Sequence, residues 1–295
     1  MSRDLGFISG LKAFDVASDV PTCYVNDPLA IALNILAMKR APRRIILIDQ
    51  GRRVRGVITA LRILEILLSY RGASLIRSEG LTKVLREEVY LFADEAPYTM
   101  EMNTPLPAVI MHMGENNISM IPLIDSVGVY RGAVTEKQVA SLASGRRLGL
   151  KVSEYVEDYP IVYIVDSVLR ASEAMIRSRK AKAVVIDEGG RAVGVVTASD
   201  ILRMPLLTEE IIDLLRADVE VSVERILSTI PVSKVMSAPA ITVGEDEDLG
   251  YAAEIFTAND IGIMPITRRE EGGKMIGVIS RMGVVRALAR VLRGG

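Results

Sequence analysis

A seven-residue phrase written four times constrains this chain more than any other feature. Its fullest copy is Gly194-Val195-Val196-Thr197-Ala198-Ser199-Asp200. Gly56-Val57-Ile58-Thr59-Ala60-Leu61-Arg62, Gly132-Ala133-Val134-Thr135-Glu136-Lys137-Gln138 and Gly277-Val278-Ile279-Ser280-Arg281-Met282-Gly283 share its frame. Every copy has a glycine, two apolar residues and a hydroxyl residue, and only the copy at 194–200 ends in an acid. A proline precedes each glycine, Pro21, Pro97, Pro160 and Pro239, by 35, 35, 34 and 38 residues. Spacing this regular marks an internal repeat.

Between proline and glycine the same classes of segment recur. A short extended piece comes first, then a helical stretch; in the fourth copy Leu249, Ala252, Ala253 and Phe256 fall on one helix face. Next is an apolar strand, Ile45-Ile46-Leu47-Ile48-Asp49, Ile121-Pro122-Leu123-Ile124-Asp125, Ala183-Val184-Val185-Ile186-Asp187 or Ile263-Met264-Pro265-Ile266. Continuous β-branched runs suit strands covered on both faces. A turn, a second strand carrying the glycine phrase and a closing helix complete a β-α-β-β-α unit of α/β (α+β) class. Such a unit has a sheet face to cover, so the units should dock in pairs. The expected modules are residues 1–147, with repeats at about 12–66 and 86–143, and residues 148–295, with repeats at about 150–204 and 231–290. Residues 208–217 and 220–229 read as extra helices in the second half.

The bulk numbers exclude several classes. Of 295 residues 49% are hydrophobic, yet no apolar run reaches the roughly 18–20 residues of a membrane span. Basic and acidic residues balance, 36 against 37, which argues against nucleic acid as a partner. One cysteine, Cys23, and one histidine, His112, allow no intramolecular disulfide and no His/Cys metal cluster. Cys23 reads as a small buried hydrophobe and His112 as a surface or packing residue. The N-terminus has no secretory pattern, and the expected location is cytoplasmic.

These motifs carry a resemblance. Val235-Met236-Ser237-Ala238-Pro239-Ala240-Ile241-Thr242-Val243, Ile121-Pro122-Leu123-Ile124-Asp125 and Gly194–Asp200 together resemble the cystathionine-β-synthase (CBS) domain family over nearly the whole chain. The resemblance implies four CBS repeats in two tandem (Bateman) modules, able to close into a flat disc within one chain or to associate as a homodimer. Archaeal homologues of the γ subunit of AMP-activated protein kinase are similar in arrangement. It further implies an adenine nucleotide (AMP, ADP or ATP) as regulatory ligand, no catalytic cofactor and an energy-sensing role toward a regulated protein.

Thr197 and Asp200 are the sharpest site candidates. A carboxylate can accept hydrogen bonds from both hydroxyls of a ribose, and a helix N-terminus suits phosphate. The same Thr-x-x-Asp spelling is also a capping box. Lys182 and Arg44, directly before apolar strands, occupy the place where the resemblance expects a phosphate-facing cation; Met120 and Gly262 take that place in copies two and four. Arg43 and Arg179 read equally well as solvated charge. Ile161 and Val162 would wall an adenine slot. Thr135, Gln138, Thr59 and Ser280 are weaker candidates, because Arg62, Gln138 and Gly283 replace the acid in their phrases. Repeats one and four are therefore expected to bind atypically or stay empty.

The leading reading is a nucleotide-binding regulatory protein with no metal and no enzymatic activity, since no nucleophile–base set can be assembled. Its alternatives are a structural or interaction module without a small ligand, and a binder of S-adenosylmethionine or NAD.

Overall fold

The computed structural model describes residues 5–38, 43–95, 97–204, 223–268 and 273–294. A short helix α1 (Gly6–Ser9) precedes repeat one, which runs β1 (Thr22–Tyr24), α2 (Leu29–Ala37), β2 (Arg44–Ile48), β3 (Val54–Thr59) and α3 (Ala60–Leu67). Helices α4 (Ala73–Glu79) and α5 (Leu81–Arg86) and strand β4 (Asp94–Glu95) lead to repeat two. That repeat has β5 (Met100–Glu101), α6 (Leu106–Glu115), β6 (Met120–Ile124), β7 (Tyr130–Thr135) and α7 (Glu136–Leu142). Repeat three has β8 (Ile161–Tyr163), α8 (Val168–Ser178), β9 (Lys182–Ile186), β10 (Ala192–Thr197) and α9 (Ala198–Leu202). After α10 (Val223–Thr229), repeat four has β11 (Val243–Gly244), α11 (Leu249–Asn259), β12 (Ile263–Arg268), β13 (Lys274–Ser280) and α12 (Arg281–Gly294). The helix expected over 208–217 lies outside the described residues, and α10 covers part of the one expected over 220–229.

Each repeat is the anticipated β-α-β-β-α unit. Its first strand pairs parallel with the apolar strand, which pairs antiparallel with the strand ending in the hydroxyl residue. The apolar strand is thus central, and its buried runs, such as Ile45-Ile46-Leu47 and Ala183-Val184-Val185, fit that position. The ladders set Arg44 opposite Thr59, Met120 opposite Thr135, Lys182 opposite Thr197 and Ile263 opposite Ser280. The fourth counterpart of Arg44 and Lys182 is therefore Ile263 and not Gly262, because the last connection is longer. Gly262 instead aligns with Arg43, Ser119 and Ala181, whose carbonyls accept the same backbone N–H from the start of the closing helix.

Each sheet is finished by a segment belonging, in sequence, to the neighbouring repeat. Ser18 exchanges two backbone hydrogen bonds with Ala133, at 2.9 and 3.0 Å, so the leader of repeat one completes repeat two. Asp94 pairs with Val57, and the leader of repeat two completes repeat one. Ser237 pairs with Val195 at 2.8 and 3.0 Å, and Glu157 with Val278 at 2.7 and 3.3 Å, so repeats three and four make the same exchange. This explains the glycine of the phrase in repeats one, three and four, whereas Gly132 of repeat two is needed for its φ of 134°. A Cβ at Gly277 would lie 2.2 Å from Val156 Cγ1, and one at Gly56 2.9 Å from the Asp94 carbonyl oxygen.

The chain divides into two compact units, each taking one repeat from either half. Residues 20–96 and 159–240 gather repeats one and three, and residues 1–19, 97–158 and 241–295 gather repeats two and four. These units do not follow the 1–147 and 148–295 division. Within the first, α2 and α3 pack on α8 and α9 around Leu29, Leu36, Ile63, Leu64, Val168 and Ile201. Within the second, α12 packs on α6 and α7 around Phe256, Ile110 and Leu288. Both cores are helix faces brought together by the closing helices.

In repeats one to three the apolar strand is followed by an aspartate that folds the turn. Asp49, Asp125 and Asp187 accept the backbone N–H of Arg53, Val129 and Arg191, each at 2.9 Å. The Nε groups of Arg55, Arg131 and Arg191 reach the same carboxylates at 2.8, 2.9 and 2.9 Å. The backbone hydrogen bond is the main cause holding all three carboxyls below the ordinary carboxylate value, against partial desolvation and with help from the arginines. In repeat four the ladder puts Arg268 there, and it pairs with Glu245 at 2.8 Å.

Two predictions follow from this architecture. Gly277→Ala should lower stability by about 1–3 kcal/mol in a denaturant titration, as overpacking does, whereas Gly10→Ala, with open space around it, should be neutral. A carboxyl depressed on folding stabilises above its unfolded value and loses that contribution as pH falls through the folded one. The variant Asp49→Asn/Asp125→Asn/Asp187→Asn should therefore melt below wild type at neutral pH. The gap should narrow below the ordinary value of 3.8; a constant gap between pH 7 and 3 contradicts the mechanism.

Candidate ligand-binding site

The hydroxyl residue of each phrase caps the closing helix. Thr59 Oγ1 accepts the Arg62 backbone N–H at 3.1 Å, Thr135 Oγ1 that of Lys137 at 3.2 Å, Thr197 Oγ1 that of Asp200 at 3.1 Å and Ser280 Oγ that of Gly283 at 3.2 Å. Extended backbone at Thr197, with φ −122° and ψ 157°, aims its side chain at those free donors. Among the closing helices of the described residues, that of repeat three alone has the reciprocal bond of a capping box, in which Asp200 Oδ2 accepts the Thr197 N–H at 2.9 Å.

Asp200 is already engaged on both oxygens. Its Oδ2 also accepts the Thr197 hydroxyl at 2.7 Å, and its Oδ1 pairs with Arg203. The side chain is 14% exposed, so a ligand hydroxyl would compete with Thr197 and Arg203 for it. Lys182 is half-buried across the ladder from Thr197, and Arg44 stands likewise opposite Thr59. Strand alternation separates the expected adenine wall: Val162 is buried in the core, whereas Ile161 and Tyr163 share the open face. The Val162 side chain therefore faces away from the side chain of Ile161. Gln138 accepts the Thr135 hydroxyl, and Ser280 is buried at 2% exposure.

A cleft lies within the unit formed by repeats one and three. Its volume is ≈ 570 Å³, and Thr59, Arg62, Glu65, Tyr70, Arg71 and Asp94 line it beside Ile176 and Arg179. Among the sequence candidates, Thr59 stands in this lining; Arg44, Lys182, Ile161, Val162, Thr197 and Asp200 do not. Arg62 bridges Glu65 on its own helix and Asp94 on the leader strand. Its charge is thus offset twice, while Arg71 and Arg179 have no ion pair among the described residues. Arg179 ends α8 in the left-handed conformation, φ 54°, where a cation faces the negative end of the helix dipole. Glu65, Arg71 and Asp94 escaped sequence reasoning because they lie outside the repeated phrase.

The two singular residues take no part. Cys23 is 3% exposed, and burial, with Asp27 adding, pushes its thiol up to about 11. His112 stacks on Tyr98 with ring centroids 4.3 Å apart.

With this geometry in hand, comparison with known proteins defines the class. The CBS domain profile matches residues 13–69, 152–206 and 232–290, more than half of the chain. The chain belongs to the CBS domain family. Repeat two, outside those matches, has the same fold and register. Among solved structures, protein MJ1225 of Methanocaldococcus jannaschii, a proposed archaeal homologue of γ-AMPK, superposes with a TM-score of 0.79 at 20% identity, over 94% of this chain and 99% of that one. A conserved protein of Pyrococcus horikoshii superposes with a TM-score of 0.59 at 17% identity, over 94% and 100%. The γ subunit of the AMP-activated protein kinase of Saccharomyces cerevisiae is 29% identical over 219 residues, 70% of this chain and 65% of that subunit.

The cap has a measurable value. Thr197→Ala should cost about 1 kcal/mol in a urea titration, as loss of an N-cap does. Thr197→Ser should restore most of it.

Proposed function

We propose that the chain is a non-catalytic regulatory protein that binds an adenine nucleotide, AMP, ADP or ATP, and passes its occupancy to a partner protein. The observation that carries this reading is the cleft with Arg71 and Arg179. Its ≈ 570 Å³ suits a small ligand, and two guanidiniums beside a helix N-terminus suit phosphate. Tyr70, 52% exposed, offers a ring face to a base. Kinship with a kinase γ subunit supports the regulatory part. A ligand spanning α3 of repeat one and the end of α8 of repeat three biases how those helices pack, and a partner that distinguishes the packings reads the bias.

In this proposal Thr197, Asp200, Lys182 and Ile161 form a second contact set, with Arg44, Thr135, Gln138 and Ser280 as lesser positions. The modules 1–147 and 148–295 are each tied by exchanged leaders, the cleft draws one repeat from each, and the protein works in the cytoplasm. A structural reading has its own observation: the Asp200 carboxylate is satisfied inside its own helix.

Titration calorimetry with AMP, ADP, ATP, S-adenosylmethionine and NAD decides. Nucleotide should bind below about millimolar, and Arg71→Ala or Arg179→Ala should weaken it tenfold or more, about 1.4 kcal/mol. Loss through Asp200→Ala alone would place the site in repeat three. No binding by any of the five compounds would leave the structural reading.

A further inference from the structure

Gly283 removes the acid from the phrase of repeat four, yet a carboxylate stands there. Glu157, from the leader of repeat three, accepts a hydrogen bond from the Ser280 hydroxyl and pairs with Arg286 at 3.2 Å. In repeat three, Asp200 accepts the Thr197 hydroxyl at 2.7 Å and pairs with Arg203. Arg203 and Arg286 each lie six residues after their hydroxyl residue. Burial agrees as well, with side-chain exposure of 14% for Asp200 and 8% for Glu157. A Cβ at Gly283 would lie 3.1 Å from Glu157 Oε1, so a side chain at 283 would press on that carboxylate.

The remaining repeats fit the same rule. The leader residue at the Glu157 position is Ser237 in repeat three, where the phrase carries its own acid, and Ser18 in repeat two, where it carries Gln138. In repeat one it is Asp94, which holds Arg62 in the acid position. No repeat carries an acid in both places, and repeat two, with Ser18 and Gln138, carries one in neither.

We infer that Glu157 is the relocated acid of repeat four, a specificity-determining carboxylate that does for this repeat what Asp200 does for repeat three. Resting on the nucleotide-binding reading above, its ligand is the vicinal diol of a ribosyl group, which exchanges with Ser280 and Arg286 for the carboxylate oxygens. Repeat four is then equipped to accept ligand, with its acid arriving from 123 residues upstream of Ser280.

A double-mutant cycle tests the relocation without any ligand. Gly283→Asp should lower the melting temperature by crowding Glu157, and Glu157→Ser should lower it by stripping Ser280 and Arg286 of their acceptor. Combined, Glu157→Ser/Gly283→Asp should melt above either single variant; additive losses overturn the relocation. Gly283→Ala separates crowding by Ile279, whose Cδ1 lies 2.6 Å from the added Cβ, from the effect of charge. Should Gly283→Asp yield no folded protein, recovery on adding Glu157→Ser supports the proposal and failure of both overturns it. AMP stoichiometry tests the ligand half: Glu157→Gln should remove one bound AMP while Asp200→Ala removes another. Unchanged stoichiometry in Glu157→Gln overturns the hydroxyl-binding role. No AMP binding by wild type sinks the nucleotide reading and the ligand half with it, while the melting cycle still decides the relocation.

Discussion

Two backbone hydrogen bonds per repeat, made across the residue after the phrase glycine, underlie the whole structure. An exposed sheet edge invites wrong pairing, and here each edge is closed by a leader from the neighbouring repeat. Ser237 with Val195 is the tightest two-way example, at 2.8 and 3.0 Å. In repeats one, three and four the close approach excludes a side chain, and in repeat two Gly132 holds φ 134°, so the glycine recurs when the seventh residue of the phrase does not. In repeats one and four the pairing also brings a leader carboxylate, Asp94 or Glu157, to the first turn of the closing helix. The glycine therefore speaks of folding, and the residue delivered by the leader speaks of charge.

The electrostatics of repeats one and three mirror each other with reversed sign. Arg62 pairs with Glu65, and Asp200 with Arg203, at the same i,i+3 places on α3 and α9. An acid near a helix N-terminus is favoured by the dipole, and a cation is not. Arg62 stands against that preference and is held by Glu65 and, from the leader, by Asp94. With those carboxylates committed to Arg62, Arg71 and Arg179 set the sign of the cleft. The cleft beside repeat one is therefore cationic, a property that the phrase of that repeat does not show by itself.

Much of the fold was legible because it is written in local patterns. The apolar runs specified central strands, the hydroxyl residues marked where the closing helices start, and the Leu249, Ala252, Ala253 and Phe256 stripe specified a buried helix face. The register of the last repeat was not, because its longer connection shifts Ile263 into the place assigned to Gly262. Val162 illustrates a different limit: adjacent residues of a strand point to opposite faces, so a stretch cannot be assigned whole to a ligand wall. The leader exchange was invisible for a deeper reason. Backbone pairing between segments such as Glu157 and Val278 leaves no mark on side-chain type except the glycine it demands.

That invisibility explains why the phrase alone leaves repeat four, with repeat one, expected to bind atypically or stay empty. A motif records which residues are near in sequence, whereas a carboxylate acts on what is near in space. Ser280, Glu157 and Arg286 come from a strand end, a leader and a helix, and their arrangement matches Thr197, Asp200 and Arg203, which all lie within seven consecutive residues. In proteins built from exchanged repeats, a position emptied in one segment can be refilled from the segment that crosses it. The acid of such a repeat should therefore be sought on the crossing leader before the repeat is counted as degenerate.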